Sequence, residues 1–335
     1  MAISSGVRRH RAWVEAAGRR WLVIRGDAYL EATRESSSFS VSIPMRRAER
    51  VFADAESLDA KIVVASGFGD RTIITGELDD AQFDYEARTI HLTGRCKSAK
   101  LHEMKTSEKW TNKKPDEIIK DLAQKAGLDA DVTSAKVRAG RKWADDYVKL
   151  SDNVSFAAVI HKMSELMGAR WWVDADGKLH VKDDASGTYT ISYRENGSGP
   201  INSDALRIRI SKNFVAAKDV EVKVKSWNQK KKKVIEAEKK ISGKGGKVAY
   251  EYHIPGLEQD LADQYAKAKA AEHVAHEIQL QADCIGDPDC APGMKLQLIG
   301  TAFAQSLDID SVSHAFGMRG HLMTISAKSA KDGRE

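Results

Sequence analysis

One stretch, GELDDAQFDYEARTIHLTGRCKSAKL from Gly76 to Leu101, constrains this chain more than any other, because the hydrophobic period changes across it. Its second half places Ile90 and Leu92 on one side and Thr89, His91 and Thr93 on the other, the period of two that marks a strand buried on one face. Its first half has strand-like sequence, and the acids Asp79, Asp80 and Asp84 predict a loop between two strands of a hairpin. From Thr106 to about Asp184 the composition differs, and after that strand-like runs return. The hairpin therefore reads as the hinge where one β-region hands the chain to an inserted module.

Upstream of the hinge, RAWVEA, RWLVIRG and SFSVSI predict short strands, with Phe39, Val41 and Ile43 alternating against Ser40 and Ser42. Lys61 to Ala65 and Thr72 to Thr75 add two more, and a short helix is expected near Arg46 to Ala55. Six or seven strands in the first hundred residues predict a small antiparallel barrel or sandwich. Downstream of the hinge the period becomes helical. Thr111 or Asn112 can cap a helix with Pro115, Asp116 and Glu117 in its first turn and Ile118, Ile119, Leu122 and Ala126 on one face. A second helix is expected from Ser151 or Asp152 to Gly168, with Phe156, Val159, Ile160, Met163 and Leu166 as its apolar stripe. RWWVDADGKLHVKDD then predicts a hairpin turning at Asp174 to Gly177. ENGSGP, from Glu195 to Pro200, marks the next boundary. Beyond it LRIRIS and VEVKVKSW alternate, with Val220, Val222 and Val224 inward and Glu221, Lys223 and Lys225 outward. A helix is expected over Leu257 to Gln279, followed by three strand-like runs, MKLQLIG, LDIDSVSHAF and HLMTISAKS.

At 335 residues the chain is long enough for two or three domains. No apolar run approaches the ~20 residues of a bilayer span, and no apolar core of a secretory signal follows the basic amino terminus, so neither a membrane partner nor export through a signal peptide is expected. The net charge of +5 permits an acidic partner without demanding one. Three cysteines, Cys96, Cys284 and Cys290, are too few for a disulfide framework. The spacing of Cys284 and Cys290 admits a local disulfide or half of a metal site, but no second ligand pair follows, and two separate thiols are the preferred reading.

The lysine run Lys230 to Lys233 raises nucleic-acid binding. It sits at an expected hairpin tip, with Glu236 and Glu238 close behind, where a solvated or subunit-facing loop accounts for it better. His273 and His276, near Glu272 and Glu277, lack the spacing of a zinc protease helix. Asp79 and Asp80 would point to opposite faces of a strand and so cannot pair as glycosidase acids. Trp171 and Trp172 could stack a ligand, although one of them is expected in the core. Phosphate-cradling and nucleophile-elbow motifs are absent, so no catalytic, cofactor-binding or metal-ligating residue is assigned.

The order of these elements resembles the bacteriophage tail baseplate hub proteins, the late control protein D family. In that family a Gly-Glu pair, a later Gly-Arg-Asp, an alanine and a leucine close the first tube domain. Gly76, Glu77, Gly94, Arg95, Ala99 and Leu101 match, while Cys96 stands where the family carries Asp. WTNKKPDEIIKDLAQKAGL, FAAVIHKMSELMGARWWVDADGKLHV, VKSWNQKKKKVIEAE and the closing strands continue the resemblance in the same order. It implies a mainly β, α+β protein with two similar antiparallel β-barrel domains of tube type, at residues 1–105 and 188–335, and a small α+β module at 106–187 between them. It also implies a structural protein and no enzyme: a homotrimeric symmetry adapter in a virion baseplate, assembled in the bacterial host cytoplasm. The implied partners are further copies of itself, a tail tube or distal tail protein, a central spike and a tape measure protein, with DNA only in transit through the lumen. A hub of a contractile secretion or bacteriocin-like device is the alternative within the class. A cell-wall-degrading tail enzyme and a basic nucleic-acid binder are the alternatives outside it; the matched elements leave no span for a fused hydrolase.

Overall fold

The computed structural model describes residues 11–32, 36–66, 69–108, 110, 113–134, 153–182, 185–195, 201–214, 218–228, 233–243, 246–254, 257, 259–275, 277–303, 306–317 and 320–329. Seven strands lead the chain: β1 (Ala12–Ala16), β2 (Arg19–Leu22), β3 (Arg25–Glu31), β4 (Ser38–Pro44), β5 (Asp59–Ser66), β6 (Gly69–Asp84) and β7 (Thr89–Cys96), with helix α1 (Glu49–Ala53) between β4 and β5. Their order in the sheet is β3-β4-β7-β6-β5-β1-β2. Each inward residue of the alternation is buried: Phe39, Val41, Ile43, Ile90 and Leu92 join Val14, Ile62, Val64 and Ile74 in one apolar cluster. Gly26 lies inside β3, where its missing side chain lets Val41 of β4 approach.

The module that follows contains α2 (Ala99–Glu103), β8 (Lys105–Thr106), α3 (Pro115–Lys125), β9 (Ala130–Val132), β10 (Val154–Ser155), α4 (Phe156–Met167), β11 (Arg170–Val173) and β12 (Leu179–Lys182). β8 pairs with β10, so the chain leaves and re-enters the module's helical part at one neck. The expected cap residues Thr111, Asn112, Ser151 and Asp152 lie outside the described residues. The caps present are Lys114, whose backbone N–H donates to Glu117 at 3.0 Å, and Ser155, whose hydroxyl accepts from the Ala158 N–H at 3.2 Å. The predicted stripes are buried as expected, including Ile118, Ile119 and Leu122 on α3 and Phe156, Val159, Ile160, Met163 and Leu166 on α4.

The last part contains β13 (Thr188–Arg194), β14 (Asn202–Ser203), β15 (Ala205–Lys212), β16 (Asp219–Asn228), β17 (Lys233–Ile241), β18 (Lys247–His253), α5 (Gln259–Val274), β19 (Ile278–Ile285), β20 (Lys295–Ile299), β21 (Ser306–Gly317) and β22 (Gly320–Ser329). The helix expected to reach Gln279 ends at Val274. Ile278, Leu280, Ala282 and Cys284 alternate as the inward side of β19, a period of two that overrides the helical run before it. The boundary expected at Glu195 to Pro200 lies outside the described residues from 196 onward.

The class is α+β and mainly β, but the strands among the described residues do not close a barrel. Fourteen of them form one open ladder that passes through both ends of the chain, and the others lie in three small sheets, β8–β10, β9–β12–β11 and β17–β16–β18. β21 makes this continuity possible. It pairs along its length with β22, while on its other edge its first half takes β20 and its second half, Ser311 to Phe316, takes β3. A bulge between Ile309 and Ser311 marks the change of partner. The expectation of purely antiparallel sheets is also corrected, since β13–β20, β16–β18 and β9–β12 are parallel.

The apolar cores group the residues in a further way that local pattern does not reveal. Val220, Val222 and Val224 of β16 and the buried side of α5 share a cluster with α3, α4 and β11 of the module, not with β19–β22. The alanines of α5, Ala262, Ala266 and Ala270, let the helix pack closely on β16 and β17. The solvent side of that three-stranded sheet carries a charge lattice. Lys247, Lys223 and Lys240 surround Glu221, so a residue expected to point outward is 3% exposed, and hydrogen bonding to Lys247 holds its carboxyl down at about 2.

Candidate functional site

The Gly76 to Leu101 stretch forms a joint between two cores. Ile90, Leu92 and Cys96 belong to the first β-cluster, whereas Leu101, nine residues after Leu92, is fully buried in the module's cluster. Gly76 lies opposite Cys96 and Gly94 opposite Leu78 where β6 and β7 pair near the joint, and close approach explains both glycines. A Cβ at Gly76 would sit 1.8 Å from the Arg95 carbonyl oxygen, and one at Gly94 would sit 2.4 Å from the Phe39 ring. Glu77 pairs with Lys100 at 2.5 Å and raises that ammonium's affinity for its proton. Arg95 grips Asp79 with two bonds of 2.7 Å and reaches Glu103 on α2 at 2.8 Å. Four of the residues singled out by the resemblance thus tie strand to strand and strand to helix.

The acids are not in a loop. Asp79, Asp80 and Asp84 lie on β6, the turn is at residues 85–88, and a bulge at Leu78/Asp80 makes Asp79 the extra residue, which turns it toward Arg95. Asp84 accepts the Ala87 N–H at 2.8 Å and shapes the turn. Tyr85, 67% exposed at its tip, donates its hydroxyl proton to Glu49 at 2.8 Å. Cys96 is buried, 2.9 Å from the Ser98 hydroxyl. On the opposite side of β7, His91 sits between the hydroxyls of Ser40 and Ser42, 3.2 Å from each.

The other sequence candidates are dispersed. Trp171 and Trp172 are both buried, Trp171 in the module core and Trp172 stacked on His180 at 5.4 Å. His273 stacks on Tyr250 at 3.6 Å and lies 2.8 Å from the Tyr252 hydroxyl; His276 and Lys230 to Lys232 lie outside the described residues. Cys284 and Cys290 are buried free thiols, and burial raises both, Cys284 to about 11. Among the described residues no group of three or more His, Cys, Asp or Glu is placed to hold a metal ion, and no helix is long and apolar enough to cross a membrane.

Two features escape sequence reading. Arg170 of β11 and Asp308 of β21, 138 positions apart, form a covered ion pair at 3.2 Å that pins the module to the seam strand. His314 and His321, on β21 and β22, meet at 2.9 Å, and burial together with His321 depresses the His314 imidazole to about 3. The Arg170–Asp308 pair has no local signature, because distant strands make it; the two histidines meet across the β21–β22 hairpin, where the sequence gives no sign that both rings are buried.

No family model matches the chain, and no curated protein matches it in sequence. Solved structures do match in fold. The 43 kDa tail protein of prophage MuSo2 from Shewanella oneidensis aligns over 97% of this chain and 100% of its own, at 12% identity and a TM-score of 0.68. A tail protein from Neisseria meningitidis aligns over 96% of both chains, again at 12% identity, with a TM-score of 0.67. The E. coli c3393 protein, a component of the type VI secretion system, aligns over 94% of this chain and 76% of its own at 10% identity and a TM-score of 0.55. The chain therefore shares its fold with these tail proteins and with the type VI secretion component.

Proposed function

We propose that this chain is a structural tail hub, three copies of which join a hexameric tube to a trimeric spike in a phage or phage-derived particle and enclose part of the ejection channel. One observation carries the reading: tail proteins, one of them from a prophage, match it in fold over nearly their full length and nearly all of this chain. Two β-regions, at about 1–105 and 188–335, flank the helical module at 106–187 in the division we favour. Two tube-like regions in each of three chains supply six positions, which is what an adapter between sixfold and threefold partners requires. In this reading the tube or distal tail protein and the spike bind opposite sides of the ring, the tape measure protein and DNA pass through it, and assembly takes place in the host cytoplasm.

The test is the mass of the purified chain by native mass spectrometry, alone and with tube or spike protein. Three copies of the 37.0 kDa chain per complex are expected. A chain that stays monomeric at all concentrations and with both partners present overturns the reading. The likeness to the type VI secretion component supports a second form of it, a hub in a contractile secretion device. Turnover of peptidoglycan by the purified chain would instead favour the enzyme class.

A further inference from the structure

Two strand edges stand open, and they complement each other in charge and in side-chain alternation. β15 pairs with β19 on one side and with no other strand among the described residues. Of its eight residues Ala205 alone is fully buried; Ile208 and Ile210 pack partly against the third core, and the face that carries Arg207 and Arg209 is exposed. Its sequence alternates Arg207, Ile208, Arg209, Ile210; both arginines are exposed, and the two isoleucines line a groove of about 800 Å³ with Tyr193 and Phe303. Arg194 and Glu195 also border that groove, and Asp283 lies 3.7 Å from Arg207.

The outer half of β6 is the second open edge. β5 covers β6 only from Gly69 to Glu77, and from Leu78 to Asp84 β7 is its one strand partner among the described residues. Here the alternation is Asp80, Ala81, Gln82, Phe83, Asp84. The two aspartates are exposed, while Ala81 and Phe83 pack partly against the first core. An open edge templates pairing with another chain unless it is blocked. Laid side by side with Ile208 and Ile210 against Ala81 and Phe83, the two strands place Arg207 against one of the aspartates and Arg209 against Gln82, diagonal to both Asp80 and Asp84.

We infer that the outer half of β6 in one copy pairs with β15 of the next copy, a head-to-tail contact that closes into a ring. This inference rests on the trimeric reading above and names the surfaces that make it. The two edges differ, so the contact is heterologous, the type that generates rings when its rotation closes.

Charge exchange tests it. The double variants Asp80→Lys/Asp84→Lys and Arg207→Glu/Arg209→Glu should each weaken self-association by roughly tenfold or more, and the chain carrying all four changes should regain the wild-type mass at the same concentration. Circular dichroism should show all three folded, since every altered side chain is exposed. Mixing Gln82→Cys with Arg209→Cys chains should give a disulfide between the two variants and none within either alone. Folded double variants that assemble like the wild type, or a fourfold variant that stays dissociated, overturn the interface while leaving the trimer standing. A wild-type chain that never assembles overturns both.

Discussion

Gly94 is held by its neighbours and not by a turn: the Phe39 ring occupies the space where a side chain would go. Gly94→Ala should therefore cost on the order of 2–3 kcal/mol in urea unfolding, through overpacking of the first core. The three cysteines are buried, and desolvation raises two of the thiols, so none should react with a thiol reagent at pH 8 until the chain is unfolded, when three should react. His314 makes stability depend on pH. In the unfolded chain a histidine takes up its proton near ~6.5, whereas the buried ring in the fold resists until about 3. Its contribution is complete above ~6.5 and falls by up to about 1.4 kcal/mol per pH unit as the pH drops toward 3. Urea unfolding at pH 7.5 and 5.0 should show a loss of about 2 kcal/mol from this residue, and His314→Gln should show a shallower dependence.

At the scale of elements, helices and strands were legible wherever one face is buried by the element's own neighbours. β4, β7, α3, β20, β21 and β22 lie where the periodicity puts them, whereas α4 carries its expected stripe but begins at Phe156, after β10, and not at the expected Ser151 or Asp152. Reading failed where two signals compete over a few residues, as at the end of α5, where β19 follows after three residues. It also failed where acids on an exposed strand mimic a loop, as on β6. The caps can be checked directly: Ser155→Ala should cost about 1 kcal/mol by removing the acceptor for the Ala158 N–H. A covered ion pair joins the module to β21. Asp308→Ala should cost about 3 kcal/mol, because it leaves the Arg170 guanidinium, with a side chain only 12% exposed, without its carboxylate.

For the whole molecule, the continuous ladder through β21 and β3 ties the two ends of the chain into one cooperative unit. Calorimetry should show a single unfolding transition for the chain, and separate transitions for the two β-regions would mean that the seam yields first. Within the joint at Gly76 to Leu101, the sequence alone identified the hairpin, its inward residues and the motif positions that turn out to bind it together. The alternation by itself also determined the mainly β class and the helical module between two β-rich ends, since periodicity is a property of neighbouring residues. Only the tertiary structure decided that fourteen strands join one open ladder, that β16–β18 and α5 share the module's core, and that Arg170 meets Asp308. Those pairings depend on which distant edges and faces come together, and a period of two or 3.6 carries no information about the partner.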